Sequence, residues 1–167
     1  YFFRGLAKYY LDDFVGAEED LTLSIERNPY IARSYQLRGL CRANIDSFAL
    51  AEQDIRTAIM YDPQNFNMWQ NLAAVTMQAK EWEKAAGVVD SLLAFAPRNS
   101  SAYIMRTQVA MNLQDTLTAL AMANKAVACD KYSANVYSAR AMLLAQVEKY
   151  DSAEVDMDRA IELMPDR

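Results

Sequence analysis

The chain has 167 residues, 53% hydrophobic and 23% charged, with only 4 Gly and 4 Pro, a composition that folds and favours helix over disorder. Its 17 Lys and Arg against 22 Asp and Glu give a net charge of −5, which excludes a general binder of nucleic acid or of anionic membrane, since such binding draws on a positive surface. The absence of His removes histidine bases and ligands, the two Cys make neither a disulfide framework nor a four-cysteine zinc site, and no apolar run reaches the length of a membrane span.

Taken in chain order, the elements repeat. The first repeat, about 1–31, opens on Tyr1 and carries Gly5, Phe14, Ala17 and Pro29, with a turn expected near Asp12. The second, 32–65, holds Tyr35, Gly39, Phe48, Ala51 and Pro63 at the same places, each 34 residues on, with its turn near Asp46. The third, 66–99, reads Trp69, Ala73, Trp82, Ala85 and Pro97 around Lys80. The fourth, 100–133, keeps Tyr103 and Ala119, sets Thr107 in the small column, and departs at Thr116 and Lys131, where an aromatic and a proline are expected; its turn falls near Gln114. The fifth, 134–167, restores Tyr137, Ala141, Tyr150, Ala153 and Pro165 around Glu148.

Within one period the chemistry is that of a helix hairpin. Tyr35, Gly39 and Ala43 mark one helical stripe, and Phe48, Ala51, Ile55, Ala58 and Ile59 mark another. Asp46-Ser47 separates them, and Asp62-Pro63 ends the second, because proline restricts the residue before it and cannot continue the ladder. Small residues such as Gly39 and Ala51 let two helix axes approach. A lone hairpin cannot bury this much apolar surface, so successive hairpins must stack.

These columns resemble the tetratricopeptide repeat (TPR) family, whose 34-residue unit has aromatic, small, aromatic, Ala and Pro signposts at these spacings; Trp69, Leu72, Ala73, Trp82, Ala85 and Pro97 follow it closely. The resemblance covers the whole chain as a single array of five repeats. It implies an all-α fold, a right-handed superhelical solenoid of stacked antiparallel helix pairs. With no polar capping helix after the last repeat, the array is expected to continue into a longer protein or to associate through its terminal repeats.

The resemblance also implies a protein or peptide partner held in a concave groove lined by the first helix of each pair. The residues expected to line it are Arg33, Gln36 and Asn44, then Asn67, Gln70, Asn71 and Gln78, then Gln108 and Asn112, and finally Asn135 and Gln146. Leu6, Leu40, Met77, Met111 and Met142 share that stripe, either as contacts for the partner or as packing between first helices. Asn44, Gln78, Asn112 and Gln146 form an amide row at the 34-residue step, suited either to a peptide backbone or to the last turn of a helix. The cationic clamp with which chaperone-binding TPR domains hold an acidic tail is absent here, Asn71 alone matching it.

An arginine column, Arg4, Arg38, Arg106 and Arg140 with Leu72 in the third place, stands sixteen residues before Asp20, Asp54, Met122, Asp156 and, opposite Leu72, Val88. Arginine meets aspartate and leucine meets valine, so the two columns are expected to touch across each hairpin, Arg106 being left over. An anion-binding arginine row is the alternative. Asp12, Asp13, Glu18, Glu19 and Asp20 read as a solvated acidic surface at a helix start, not as a calcium loop. Cys41, beside the Gly39 small column, is expected to be buried packing; Cys129, near the end of a second helix, has no base nearby, and no constellation suggests an enzyme, a cofactor or a metal. The expected function is a protein-interaction scaffold; the alternative is a structural spacer or oligomerisation module of a larger protein.

Overall fold

Ten α-helices occupy the described residues, 1–164, of the computed structural model. They are α1 (Phe2–Tyr10), α2 (Phe14–Arg27), α3 (Ala32–Asn44), α4 (Phe48–Tyr61), α5 (Phe66–Gln78), α6 (Trp82–Phe95), α7 (Ser100–Asn112), α8 (Thr116–Cys129), α9 (Ala134–Gln146) and α10 (Tyr150–Glu162). No strand occurs among the described residues; Pro165, expected to close the fifth repeat, lies outside them. The chain forms two compact units, Tyr1–Val88 and the part from Val89 onward.

The turns inside the hairpins share one geometry. Asp12, Asp46, Lys80, Gln114 and Glu148 all have φ between 58° and 60°, the left-handed region. Each is followed by an N–H that reaches back five residues to a carbonyl of the first helix: Asp13 to Lys8, Ser47 to Arg42, Glu81 to Thr76, Asp115 to Ala110 and Lys149 to Leu144, at 2.8–3.0 Å. This six-to-one closure satisfies a carbonyl that the helix end would otherwise leave open, and it reverses the chain in a few residues. Side-chain caps begin α2, α7 and α8, Asp13 accepting from the Gly16 N–H, Asn99 from Ala102 and Asp115 from Thr118.

Left-handed backbone costs an ordinary residue about 1–2 kcal/mol and costs Gly little, although Gly is freer in the unfolded chain. Lys80→Gly, Gln114→Gly and Glu148→Gly should therefore each stabilise by up to about 1 kcal/mol in urea unfolding. Asp12→Gly and Asp46→Gly should gain less, because aspartate tolerates this region. A uniform loss across the three long-side-chain positions would contradict the assignment of strain.

In the N-terminal unit, Ala17 and Leu21 of α2 pack against Leu37 and Cys41 of α3, with Phe2, Leu6, Tyr9 and Phe14 around them. Gly39 sits where a Cβ would stand 2.7 Å from Ile55 Cγ1 and 3.0 Å from the Ala51 carbonyl, so α3 and α4 touch through the missing side chain. In the C-terminal unit, Ala110 of α7, Ala119 and Ala123 of α8 and Leu143 of α9 make the core, with Met111, Leu120 and Val147 against it. In the third and fourth repeats the opening aromatic also ties down the loop before it: the Trp69 indole N–H donates to the Pro63 carbonyl at 3.0 Å and the Tyr103 hydroxyl to the Pro97 carbonyl at 3.1 Å.

Candidate interaction groove

Because α7 and α9 lie side by side in the C-terminal unit, their solvent-facing stripes enclose a groove of about 360 Å³. Ile104, Thr107, Gln108, Met111 and Asn112 come from α7; Ala139, Met142, Leu143 and Gln146 come from α9. None of these side chains ionises. Three amides, Gln108, Asn112 and Gln146, stand around an apolar strip in which Met142 is exposed and Met111 half-buried. The arrangement offers hydrogen-bond donors and acceptors to a backbone and an adaptable apolar surface to side chains.

The structure thus brings Gln108, Asn112 and Gln146 together, while Asn135, an exposed residue in the first turn of α9, does not line this groove. Thr107, Ala139 and Leu143 line it without having been expected; they lie one helical position from the anticipated stripe. In the N-terminal unit Arg33, Asn44, Asn67 and Gln78 are exposed on α3 and α5, and Gln36, Gln70 and Asn71 are half-buried there. Two members of the amide row have local partners: Asn44 donates to the Leu40 carbonyl at 2.8 Å and Asn112 to the Gln108 carbonyl at 2.9 Å, each four residues back. Burial raises the pKa of the Tyr9 hydroxyl, against a lowering hydrogen bond with Asn44.

The arginine column is a ladder of ion pairs. Arg38 donates to both oxygens of buried Asp54, at 2.8 and 2.7 Å, and Arg140 to both oxygens of buried Asp156, at 2.6 and 2.7 Å. Arg4 holds Asp20 in the same bidentate way and Lys8 Nζ adds a contact at 3.0 Å; the Arg4 hydrogen bonds hold the Asp20 carboxyl below the usual carboxylate range. Arg106 corrects the expectation. It is not left over opposite Met122 but bonds Asp90, sixteen residues earlier, at 2.7 Å. Backward reach turns out to be general, since Arg38 also donates to Thr22 at 3.1 Å and Arg140 to Asn124 at 3.0 Å, again sixteen residues back. Each arginine of the column is paired with a carboxylate, so the column is a structural element and not a row of unpaired guanidinium groups awaiting an anion.

The acidic stretch at the start of α2 is likewise less solvated than expected. Asp20 is buried and Glu18 accepts from Arg42 at 2.7 Å, while Asp12 and Glu19 remain exposed. Cys41 is buried, and burial pushes its thiol up to about 12, which keeps it protonated and unreactive. Among the described residues no group of three or more Cys, Asp or Glu could hold a metal ion, and no helix is long and apolar enough to cross a membrane.

No family model and no curated protein matches the sequence. Solved structures do match. MamA from Desulfovibrio magneticus RS-1, from residue 41 to its end, superposes with a TM-score of 0.80 at 16% identity, covering 95% of this chain and 90% of that one. TTC0263, a thermophilic TPR protein of Thermus thermophilus, gives 0.75 at 18% identity, covering 98% and 90%. YrrB, a TPR protein with an unusual peptide-binding site, gives 0.71 at 16% identity, covering 100% and 86%. At these identities the likeness establishes the fold: the chain has the TPR helical-repeat fold, an all-α solenoid of helix pairs.

Proposed function

We propose that the chain is a protein-interaction scaffold that holds an extended, largely uncharged peptide segment along its first helices. The observation that carries this reading is the groove between α7 and α9, where three amides border an apolar strip without a single ionisable side chain. A chain that is 23% charged keeps this surface neutral, which disfavours a charged peptide through desolvation and leaves backbone hydrogen bonding and apolar contact as the means of recognition. The TPR fold, and a peptide-binding site in a protein of that fold, YrrB, support it. Arg33, Gln36, Asn44, Asn67, Gln70, Asn71 and Gln78 of the N-terminal unit and Asn135 of α9 are further candidate contacts on first helices.

The test is a peptide selected from a random display library against the whole chain, its affinity measured by calorimetry. Asn112→Ala with Gln146→Ala should weaken binding by about 1–3 kcal/mol, the range of two neutral hydrogen bonds. Raising the salt concentration should change affinity little, since few charges take part. An unchanged affinity for the double variant, or a steep salt dependence, would remove this groove from the reading.

A further inference from the structure

The junction of α2 and α3 pairs definite columns of the repeat. Leu37 and Cys41 of α3 pack on Ala17 and Leu21 of α2, while Arg38 Nη1 donates to Thr22 and Arg42 Nε to Glu18. Counted back one period, the α3 columns arrive at Phe3, Ala7, Arg4 and Lys8 of α1. Counted forward in steps of 34, the α2 columns arrive at Ala153, Met157, Asp158 and Glu154 of α10. The first and last helices of the described residues therefore carry the two halves of one junction. Both halves are uncovered: Phe3 is 82% and Met157 40% exposed, where Leu37 and Leu21 are buried.

The charges match as well. Arg4 holds Asp20 through Nε and Nη2, the same two nitrogens with which Arg38 holds Asp54, and so keeps over the Nη1 that Arg38 gives to Thr22. Lys8 lies on Asp20 at 3.0 Å, as Arg42 lies on Asp54 at 2.9 Å, and donates to the Gly16 carbonyl, which leaves one of its three donors. Together Arg4, Lys8 and Asp20 carry one positive charge; Asp12 and Asp13 stand in the turn beyond the end of α1. On α10, Glu154 and Asp158 are exposed and enter no ion pair among the described residues. Of the bases on or against that helix, Arg159 is paired with Glu162, Arg140 with Asp156, and Lys149 stands more than a turn before Glu154.

We propose that the α10 face of one copy of the chain docks on the α1 face of a second copy, head to tail, in the register of the α2–α3 junction. Phe3 and Ala7 then cover Ala153 and Met157, Arg4 reaches Asp158 as Arg38 reaches Thr22, and Lys8 reaches Glu154 as Arg42 reaches Glu18. The contact joins two different faces, so each copy keeps one of each to offer and assembly continues past the dimer, as a ring or an open row. It shares no residue with the groove between α7 and α9 and does not depend on the function proposed for it.

One-sided blocks test this. Phe3→Glu spoils the α1 face and leaves α10 intact; Glu154→Lys with Asp158→Lys spoils the α10 face and leaves α1 intact. All three positions are exposed, and circular dichroism checks that helix content is kept. In sedimentation velocity the unaltered chain should form species larger than a dimer as its concentration rises, and added salt should weaken this. Each variant alone should associate about tenfold more weakly or worse. An equal mixture of the two should form a one-to-one dimer and nothing larger, because one good α1 face and one good α10 face remain between them. Met157→Ser, which leaves every charge in place, should behave as the charge-reversed variant does. The proposal is overturned if the unaltered chain is still monomeric at about 1 mM, a concentration that admits even weak association. It is also overturned if a blocked variant associates as the unaltered chain does, if the mixture stays monomeric, or if salt has no effect.

Discussion

Asp54→Ala should remove about 3–5 kcal/mol of stability, because it leaves two arginines largely screened from water and short of their acceptor. Asp54 takes three hydrogen bonds: two from Arg38 and one from Arg42 Nη1 at 2.9 Å. The side chains of Arg38 and Arg42 are 13% and 15% exposed and that of Asp54 only 4%. After the substitution Arg42 keeps Glu18, and Arg38 keeps the neutral Thr22 hydroxyl and the face of the Tyr35 ring but no carboxylate. Asp90→Ala, the other kind of partner in the column, should cost less, about 1–3 kcal/mol: it too leaves a screened guanidinium, Arg106 at 15% exposed, short of its acceptor, but the carboxylate removed is itself 56% exposed. Urea unfolding of the two variants side by side decides the matter; equal losses would mean that burial is not what makes the Asp54 pair matter.

The second large effect lies at the closest approach of α3 and α4. Gly39→Thr should cost about 1–3 kcal/mol, because the new Cβ meets Ile55 and the Ala51 carbonyl and neither gives way cheaply. Ile55→Ala alone should cost about 2–5 kcal/mol for a residue that is fully buried. The fourth repeat already carries this exchange: Thr107 stands in the column of Gly39 and Ala123 in the column of Ile55, both buried. Thr107 also bonds its hydroxyl to the Tyr103 carbonyl at 2.9 Å, and Tyr35 offers the equivalent carbonyl to Gly39→Thr. The combined variant should therefore lose less than the sum of the two by about 1–3 kcal/mol. Strict additivity in a double-mutant cycle would show that volume is not traded across this hairpin.

Helix positions and turns were legible because they depend on one repeating period. The five turn residues, Asp, Asp, Lys, Gln and Glu, are of four types and none is Gly, yet all adopt the left-handed backbone, since the period alone places them between two stripes. The forward half of the arginine ladder was legible for a similar reason: Arg and Asp change together with Leu72 and Val88 inside one hairpin. Its backward half was not. Thr22, Asp90 and Asn124 are three different residue types on the preceding helix, so no substitution pattern marks them as one contact. Helical steps along the sequence find Gln108, Asn112 and Gln146 as a stripe, but the width of the groove depends on how far apart two helices stand. That distance is set by packing around Ala110 and Leu143, and it admitted Thr107, Ala139 and Leu143.

The double reach of Arg38 has a thermodynamic consequence for the N-terminal unit. In a nearest-neighbour description of a repeat protein, each hairpin has its own folding free energy and each junction a coupling term, usually carried by different side chains. Arg38 enters both, through Asp54 within its hairpin and Thr22 across the junction, and Arg42 does the same through Asp54 and Glu18. Peeling away α1 and α2 would thus loosen the interior of the next hairpin along with its outer face. The ladder raises the cost of fraying at the amino end, and amide exchange in α2 and α4 should slow and quicken in concert.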